Sequence, residues 1–139
     1  MTLKLCGDTP KGYPNCGVVA LSVATQTPYR EVEKWWKVRR RGNWRGRTHV
    51  GELLKWLTEH GYSYKEFLIT GRNEGNLRNH HLKGTFERGK TYLILTTGHF
   101  QVYRDGYVAD QSCDEGVPVS EFWGKGKQVK MFFEIGVYE

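Results

Sequence analysis

Patterns typical of helices and patterns typical of strands are separated along this chain. The first half, up to about Gly61, carries helical periodicity and capping residues, whereas the second half carries aromatic and β-branched runs bounded by turn residues. This order predicts an α+β fold, in which N-terminal helices pack on a C-terminal antiparallel sheet. A length of 139 residues suits one compact domain, so we expect residues 1–139 to form a single domain.

Three helices are predicted in the first half. Residues 16–25 (CGVVALSVAT) are small and mostly apolar, which suits a buried helix or a buried strand. A second helix is expected over residues 28–38, with Thr27 as its cap. A third helix begins after the capping residue Thr48, and its apolar residues follow an i, i+3, i+4, i+7 pattern up to a stop at Gly61.

Strands and turns are predicted in the second half. The expected strands cover residues 62–69, 91–97, 99–103, 107–110 and 129–137. The pair Asp105-Gly106 stands between two of these strands, and this dipeptide favours a tight hairpin turn. Residues 73–83 are predicted as a loop or a short helix, and residues 119–123 as one helical turn.

Composition and charge exclude several classes of protein. With 38% hydrophobic and 14% aromatic residues the chain can build a core, which excludes intrinsic disorder. No apolar run approaches the roughly 20 residues that cross a bilayer, and the first residues hold no stretch long enough for a signal peptide. We therefore expect a soluble, cytoplasmic protein without a membrane partner. The three cysteines argue against a disulfide-stapled secreted fold, and the net charge of +6 permits a polyanionic partner without requiring one.

Cys16 is the candidate nucleophile. It lies at the start of the first predicted helix, where free backbone N–H groups and the helix dipole favour a thiolate. His99 begins a predicted strand, and a turn together with strand alternation brings Asp110 beside it. Together the three residues could form a nucleophilic triad. In such a triad a thiolate attacks a carbonyl, an imidazole transfers the proton, and a carboxylate orients the imidazole. The alternative is that these residues have only structural roles, with Cys16 a buried core residue, His99 a structural histidine and Asp110 a turn residue.

Three short motifs carry a resemblance to a known family. Asn15-Cys16-Gly17, Gly98-His99-Phe100 and Ala109-Asp110-Gln111, in this order, resemble the papain-like cysteine peptidase superfamily, especially its small C39-like bacterial and phage members. The resemblance covers residues 8–135 and implies a papain-like fold. It also implies that Cys16 is the nucleophile, His99 the general base and Asp110 the orienting residue, and that the substrate is a peptide or protein. For a phage-encoded member the location would be the host cytoplasm.

One position departs from the family's pattern. Many members have a Gln about six residues before the cysteine, and its amide donates a hydrogen bond to the oxyanion; here that position is Pro10. Asn15, the Cys16 backbone N–H and Lys11 are the candidate replacements. The departure matters because the loss of one oxyanion donor typically costs roughly 100- to 1000-fold in rate.

An arginine-rich segment suggests a second class of function. Five arginines and a tryptophan fall between residues 39 and 47, and arginine grips phosphates while tryptophan stacks on bases. The candidate polyanion-binding residues are Arg39, Arg40, Arg41, Trp44, Arg45 and Arg47. The alternative is a solvated loop whose arginines pair with Glu31, Glu33 or Glu52.

Two function hypotheses follow. The first is a cysteine hydrolase (peptidase, isopeptidase or amidase) that works through a thioester; acyl transfer of the transglutaminase-like type is a close variant. The second is a catalytically weak or inactive papain-like adaptor that binds nucleic acid or an acidic protein through the arginine-rich segment.

No cofactor and no metal are predicted. The adjacent His80 and His81, taken with His60 or Cys113, make a poor chelate, because neighbouring side chains point in different directions. Cys6 and Cys113 are expected to be free thiols.

Overall fold

The helices and strands follow the predicted order. The structure is a computed structural model that describes residues 3–7, 9–10, 14–68 and 75–137. Its helices are α1 (Cys16–Thr25), α2 (Tyr29–Arg39), α3 (Val50–Glu59) and α4 (Leu77–Leu82), with a 3₁₀ turn at Val119–Glu121. Its strands are β1 (Tyr62–Leu68), β2 (Thr91–Thr96), β3 (His99–Arg104), β4 (Tyr107–Ala109), β5 (Val117–Pro118) and β6 (Val129–Val137). None of the helices in these ranges has the length and hydropathy that a bilayer crossing needs.

The strands form one antiparallel sheet of six strands in the order β1-β6-β2-β3-β4-β5. The predicted α+β class is therefore confirmed. Strand β5 was not predicted, because two residues are too short to show alternation. Ile69, at the end of the first predicted strand, and residues 73–74 of the predicted loop lie outside the described residues.

Both faces of the sheet are covered, which explains why its central strands lack a polar side. Leu93 of β2 and Phe133 of β6 belong to the core between the sheet and α1, α2 and α3. Their neighbours Ile94 and Phe132 point to the opposite face and belong to a second core with Leu77 of α4. Successive strand side chains alternate between faces, so a strand buried on both sides is apolar throughout.

Helix α1 is the central helix of the fold, and its eight residues 17–24 are all buried. It is surrounded by α2, α3 and the sheet, so it carries no amphipathic pattern. It packs mainly against β3. The first residue of α1, Cys16, therefore lies next to the start of β3.

Two predicted helix caps are wrong. Helix α2 is capped at Pro28, while the Thr27 hydroxyl lies 2.8 Å from the Thr25 hydroxyl. Helix α3 is capped at His49, which forms a capping box with Glu52. Threonine is a favourable N-cap residue, which is why Thr27 and Thr48 were expected there. In the structure the N-cap of each helix lies one residue later.

The predicted hairpin between β3 and β4 is confirmed. Asp105 and Gly106 have positive φ angles of 49° and 86°, as a turn of the type I′ kind requires. Arg104 pairs with Tyr107, and the register continues through Val102 and Ala109. This register determines what lies opposite the end of β4.

Gly17 allows α1 to approach the loop before α3. A Cβ atom at this position would overlap the Thr48 hydroxyl and lie 3.3 Å from Leu53 Cδ2. We expect Gly17→Ala to lower the free energy of unfolding by roughly 1–3 kcal/mol, because the packed groups cannot retreat without strain. Urea denaturation measures this change.

Gly51→Ala is the matched control for this substitution. Gly51 lies in α3, and a Cβ there would meet nothing within 4 Å. We expect it to leave stability unchanged or to raise it by up to about 1 kcal/mol through helix propensity. Equal effects of the two substitutions would contradict the close approach at Gly17.

Candidate active site

The structure brings Cys16, His99 and Asp110 together at one end of the sheet. Cys16 is the first residue of α1, His99 is the first residue of β3, and Asp110 directly follows β4. Cys16 and His99 line a cavity of about 600 Å³. The other residues around the cavity are Pro14, Arg47, Thr48, His49, Val50, Leu95, Gly98, Phe100 and Gln111.

The hairpin register explains how Asp110 reaches His99. Ala109 pairs with Val102, so one further step places Asp110 opposite Gln101 and diagonal to His99. His99 Nε2 donates to Asp110 Oδ2 over 2.8 Å, and both side chains are buried. The prediction that the turn joins these two residues is confirmed.

Asp110 is a fully buried carboxylate that receives hydrogen bonds on both oxygens. Oδ2 accepts from the Trp123 indole as well as from His99, each at 2.8 Å. Oδ1 accepts from the Ser112 backbone N–H at 2.8 Å and also from the Ser112 hydroxyl. Burial alone would raise the pKa of Asp110, but the hydrogen bonds from His99, Ser112 and Trp123 outweigh it and hold the pKa below its ordinary value. Asp110 is therefore an anion over the whole neutral range.

The Cys16 thiol and the His99 imidazole influence each other's ionisation. Burial would raise the pKa of Cys16, but a hydrogen bond from His99 and the backbone N–H groups of Phe100 and Gly17 lower it overall. Burial would likewise lower the pKa of His99, yet the hydrogen bonds to Asp110 and Cys16 raise it to about 9. Because Nε2 of His99 is engaged by Asp110, Nδ1 is the ring nitrogen left to face the thiol. This arrangement favours a thiolate–imidazolium pair.

Trp123 is a site residue that the sequence analysis missed. Its ring meets the His99 ring edge-on, with centroids 5.0 Å apart, and its indole N–H anchors Asp110. Lys127 Nζ lies 4.7 Å from the centroid of the Trp123 ring. Trp123 closes the predicted helical turn, but no spacing or motif pointed to its role, because the contact depends on how the turn packs on the hairpin.

The prediction that Asn15 donates to an oxyanion does not fit the geometry. Its side chain is fully buried, and its Nδ2 donates to the Pro10 carbonyl at 3.2 Å and to the Tyr29 hydroxyl at 3.0 Å. The amide therefore stabilises the approach to α1. Of the other two candidates, the Cys16 backbone N–H lies at the free first turn of α1, and Lys11 falls outside the described residues.

The arginine-rich segment is only partly available for binding. Trp44 is 5% exposed and donates its indole N–H to the Arg47 carbonyl at 2.9 Å, so its predicted role in stacking on a base is wrong. Arg40 pairs with Glu52 at 2.9 Å, which is one of the pairings that the alternative expected. The Arg39 guanidinium lies 4.3 Å from the Trp35 ring centroid.

Four arginines of the segment remain exposed to solvent, including Arg39 beside the Trp35 ring. Arg41, Arg45 and Arg47 are all exposed, and Arg47 also lines the cavity that holds Cys16. Arg47 therefore brings a positive charge to the wall of the candidate site.

The histidines considered as metal ligands have other partners. His80 Nδ1 lies 3.0 Å from the Thr85 hydroxyl, His81 Nδ1 lies 2.8 Å from the Tyr103 hydroxyl, and His60 Nδ1 lies 2.7 Å from the Trp56 carbonyl. Within the described ranges, no three His, Cys, Asp or Glu side chains are grouped to hold a metal ion. Cys6 and Cys113 are free thiols, as predicted.

Comparison with known proteins rests on structure. No family model matches the sequence, and no curated protein matches it either. Among solved structures, the chain is similar to the crystal structure of a double glycine motif protease from an AMS/PCAT transporter in complex with the leader peptide. The TM-score is 0.58 at 16% sequence identity, over 98% of this chain and 94% of that chain. The fold is papain-like. The predicted papain-like architecture is thus confirmed.

We expect Cys16 to react with iodoacetamide faster than Cys6 or Cys113 near neutral pH. A thiolate is present above its pKa, so the lowered pKa of Cys16 extends its reactivity to more acidic pH. For Cys113, burial raises the pKa of the thiol, which restricts its reactivity to more alkaline pH. Mass-spectrometric mapping after limited alkylation over a range of pH measures the three rates.

Substitution of His99 tests the cause of this reactivity. His99→Ala removes the imidazolium but leaves the thiol buried, so the alkylation profile of Cys16 should move to more alkaline pH. His81→Ala, which removes a histidine lining other cavities, should leave the profile in place. Equal labelling of all three cysteines, or no shift in His99→Ala, would contradict the ion pair.

Proposed function

We propose that this protein is a papain-like cysteine peptidase that cleaves a peptide bond through a thioester on Cys16. The observation that carries the proposal is the continuous series from the buried Asp110 carboxylate, through His99, to the Cys16 thiol at the rim of an open cavity. The fold it shares with a peptidase supports the same reading.

The first half of the reaction uses the thiolate. Cys16 Sγ forms a bond to the scissile carbonyl carbon, and the carbonyl π electrons move to the oxygen to give an oxyanion. His99 then gives its Nδ1 proton to the leaving amine as the C–N bond breaks. The products of this half are the released amine and an S-acyl thioester.

The second half restores the enzyme. Neutral His99 takes a proton from water, whose oxygen attacks the thioester carbonyl, and the C–S bond breaks to release the acid and the thiolate. Asp110 keeps its negative charge throughout, because it holds the Nε2–H tautomer and stabilises the imidazolium.

A peptide is the substrate class that the structural comparison favours. The related solved structure is of a double glycine motif protease in complex with a leader peptide. We therefore propose a peptide substrate, and peptides that contain a Gly-Gly pair are the first to test. The isopeptidase, amidase and acyl-transfer variants share the same thioester chemistry.

Peptide cleavage should depend on both members of the ion pair, the Cys16 thiolate and the His99 imidazolium. Cys16→Ala should abolish the thioester and reduce turnover to background, and His99→Ala should reduce turnover by roughly 10²- to 10⁴-fold. In the wild type, turnover should fall on the acid side as Cys16 becomes protonated. It should fall on the alkaline side as pH rises through about 9, since neutral His99 has no proton for the leaving amine.

Mass spectrometry of products and of the intact protein measures both cleavage and thioester. Cys6→Ala is the matched control, because it removes a thiol outside the lining of the cavity. Cleavage that persists in Cys16→Ala, or a pH profile that lacks the alkaline fall, would contradict the proposed mechanism.

The exposed arginines support a second candidate function, an adaptor that binds an acidic polypeptide. Arg41, Arg45 and Arg47 are exposed, and Arg47 lines the cavity that holds Cys16. Burial of Trp44 removes the aromatic platform that single-stranded nucleic acid would use, so an acidic protein fits this surface better than nucleic acid.

Binding to this arginine surface should weaken with salt. The variant Arg41→Ser/Arg45→Ser/Arg47→Ser should bind a labelled poly-glutamate peptide less tightly and with a flatter salt dependence, because exposed charge pairs are screened. Lys55→Ser/Lys83→Ser/Lys130→Ser removes the same charge from exposed positions elsewhere and should bind as the wild type does.

A parallel titration with single-stranded DNA separates the two polyanions. A log–log slope of about −0.7 per phosphate contact that disappears in the arginine variant would favour nucleic acid instead. No binding of either probe at low salt would contradict the adaptor.

A further inference from the structure

Arg47 is an exposed arginine in the wall of the cavity that holds Cys16, and the proposed cleavage gives it no step. Within the described part of the chain, no carboxylate pairs with its guanidinium. Arg40 of the same segment differs, because it is paired with Glu52. An arginine keeps its charge at every physiological pH, so Arg47 presents a permanent positive charge to the cavity.

Two contacts hold Arg47 close to the nucleophile. The buried Trp44 indole donates to the Arg47 carbonyl at 2.9 Å, which fixes the backbone at this point. The next residue, Thr48, lies directly against α1, since a Cβ atom on Gly17 would overlap its hydroxyl. Gly17 is the neighbour of Cys16, and consecutive Cα atoms are only about 3.8 Å apart. The base of the Arg47 side chain is therefore held beside the N-terminus of α1, while its exposed end can reach a ligand.

The rest of the cavity wall does not oppose this charge. Among the described residues that line the cavity, none carries a carboxylate. The Cys16 thiolate and the His99 imidazolium together carry no net charge, so Arg47 makes the cavity positive overall. A cleft of one charge attracts ligands of the opposite sign and disfavours ligands of its own sign.

We propose that Arg47 is a specificity-determining residue that selects peptides with an aspartate or glutamate close to the scissile bond. The inference rests on the proposed cysteine peptidase function and narrows its substrate class. A carbonyl carbon attacked by Cys16 must enter the cavity that Arg47 borders. An extended peptide advances roughly 3.3–3.6 Å per residue, so side chains one or two residues from the scissile bond remain near this cavity. A guanidinium binds a carboxylate through charge-assisted hydrogen bonds, which gives the selection its chemistry.

A randomised peptide library measures the selection without assuming a cleavage motif. Mass spectrometry of the products identifies the residues within two positions of each cleaved bond. Wild-type protein should enrich Asp and Glu there by about two- to fivefold over Asn and Gln, the range expected for an exposed ion pair. The enrichment should shrink as salt is added, because exposed charges are screened.

Reversal of the charge separates selection by Arg47 from a merely structural role. Arg47→Ser should lose the acidic enrichment, and Arg47→Glu should enrich Lys and Arg instead. Arg88→Ser is the matched control, because it removes the same charge from an exposed residue that lines a different cavity. It should keep the selection of the wild type.

Alkylation of Cys16 tests the charge of the wall without any peptide cleavage. Iodoacetate and iodoacetamide react with the same thiolate by displacement of iodide, but only iodoacetate carries a carboxylate. The ratio of the two rates should fall by about two- to fivefold in Arg47→Ser, fall further in Arg47→Glu and stay unchanged in Arg88→Ser. The rate with iodoacetamide alone should be the same in all four proteins, which shows that the thiolate is intact.

The possible failures have different signatures. Cleavage without acidic enrichment, or with enrichment that Arg47→Ser retains, would overturn the role of Arg47 and leave the peptidase in place. An alkylation ratio that is equal in all variants would overturn the placement of this charge beside Cys16. A loss of iodoacetamide reactivity in Arg47→Ser would show that Arg47 supports the site rather than selects the substrate. Wild-type protein that cleaves no library peptide would contradict the proposed function, and the selection with it.

Discussion

A buried carboxylate organises the candidate site. Taking Asp110 out of water costs several kcal/mol unless donors replace the lost hydration, and here both oxygens are saturated by His99, Ser112 and Trp123. The same hydrogen bonds fix the His99 ring against Cys16 and keep Asp110 charged. The carboxylate therefore orients the imidazole and influences the thiol only through it, although it lies outside the cavity lining.

The packing of α1 against β3 brings Cys16 and His99, the first residues of these two elements, together. Because α1 is buried on all sides, its N-terminus is held at the start of β3, so the thiol and the imidazole meet. Gly17 lets the loop before α3 lie directly against α1, and this loop contributes Arg47, Thr48 and His49 to the cavity wall. The contacts between α1 and the loop before α3 therefore help to build both the core and the wall of the cavity.

The departure at Pro10 bears on the choice between the two functions. A missing oxyanion donor would favour an inactive adaptor, whereas the hydrogen-bonded Asp110 and His99 beside the Cys16 thiol favour an enzyme. The exposed Arg47 in the cavity wall is compatible with both functions, because an acidic peptide held there would lie beside Cys16.

The amino-acid sequence by itself determined the α+β class, the order of the main helices and strands and the hairpin at Asp105-Gly106, and it singled out Cys16, His99 and Asp110 as candidates, because periodicity, turn residues and short motifs are local signals. Tertiary structure decided the rest. It placed the caps at Pro28 and His49, buried Trp44, committed the Asn15 amide to the fold and brought Trp123 and Gln111 to the site. These outcomes depend on contacts between residues far apart in the chain, and no local pattern records which partner a side chain meets.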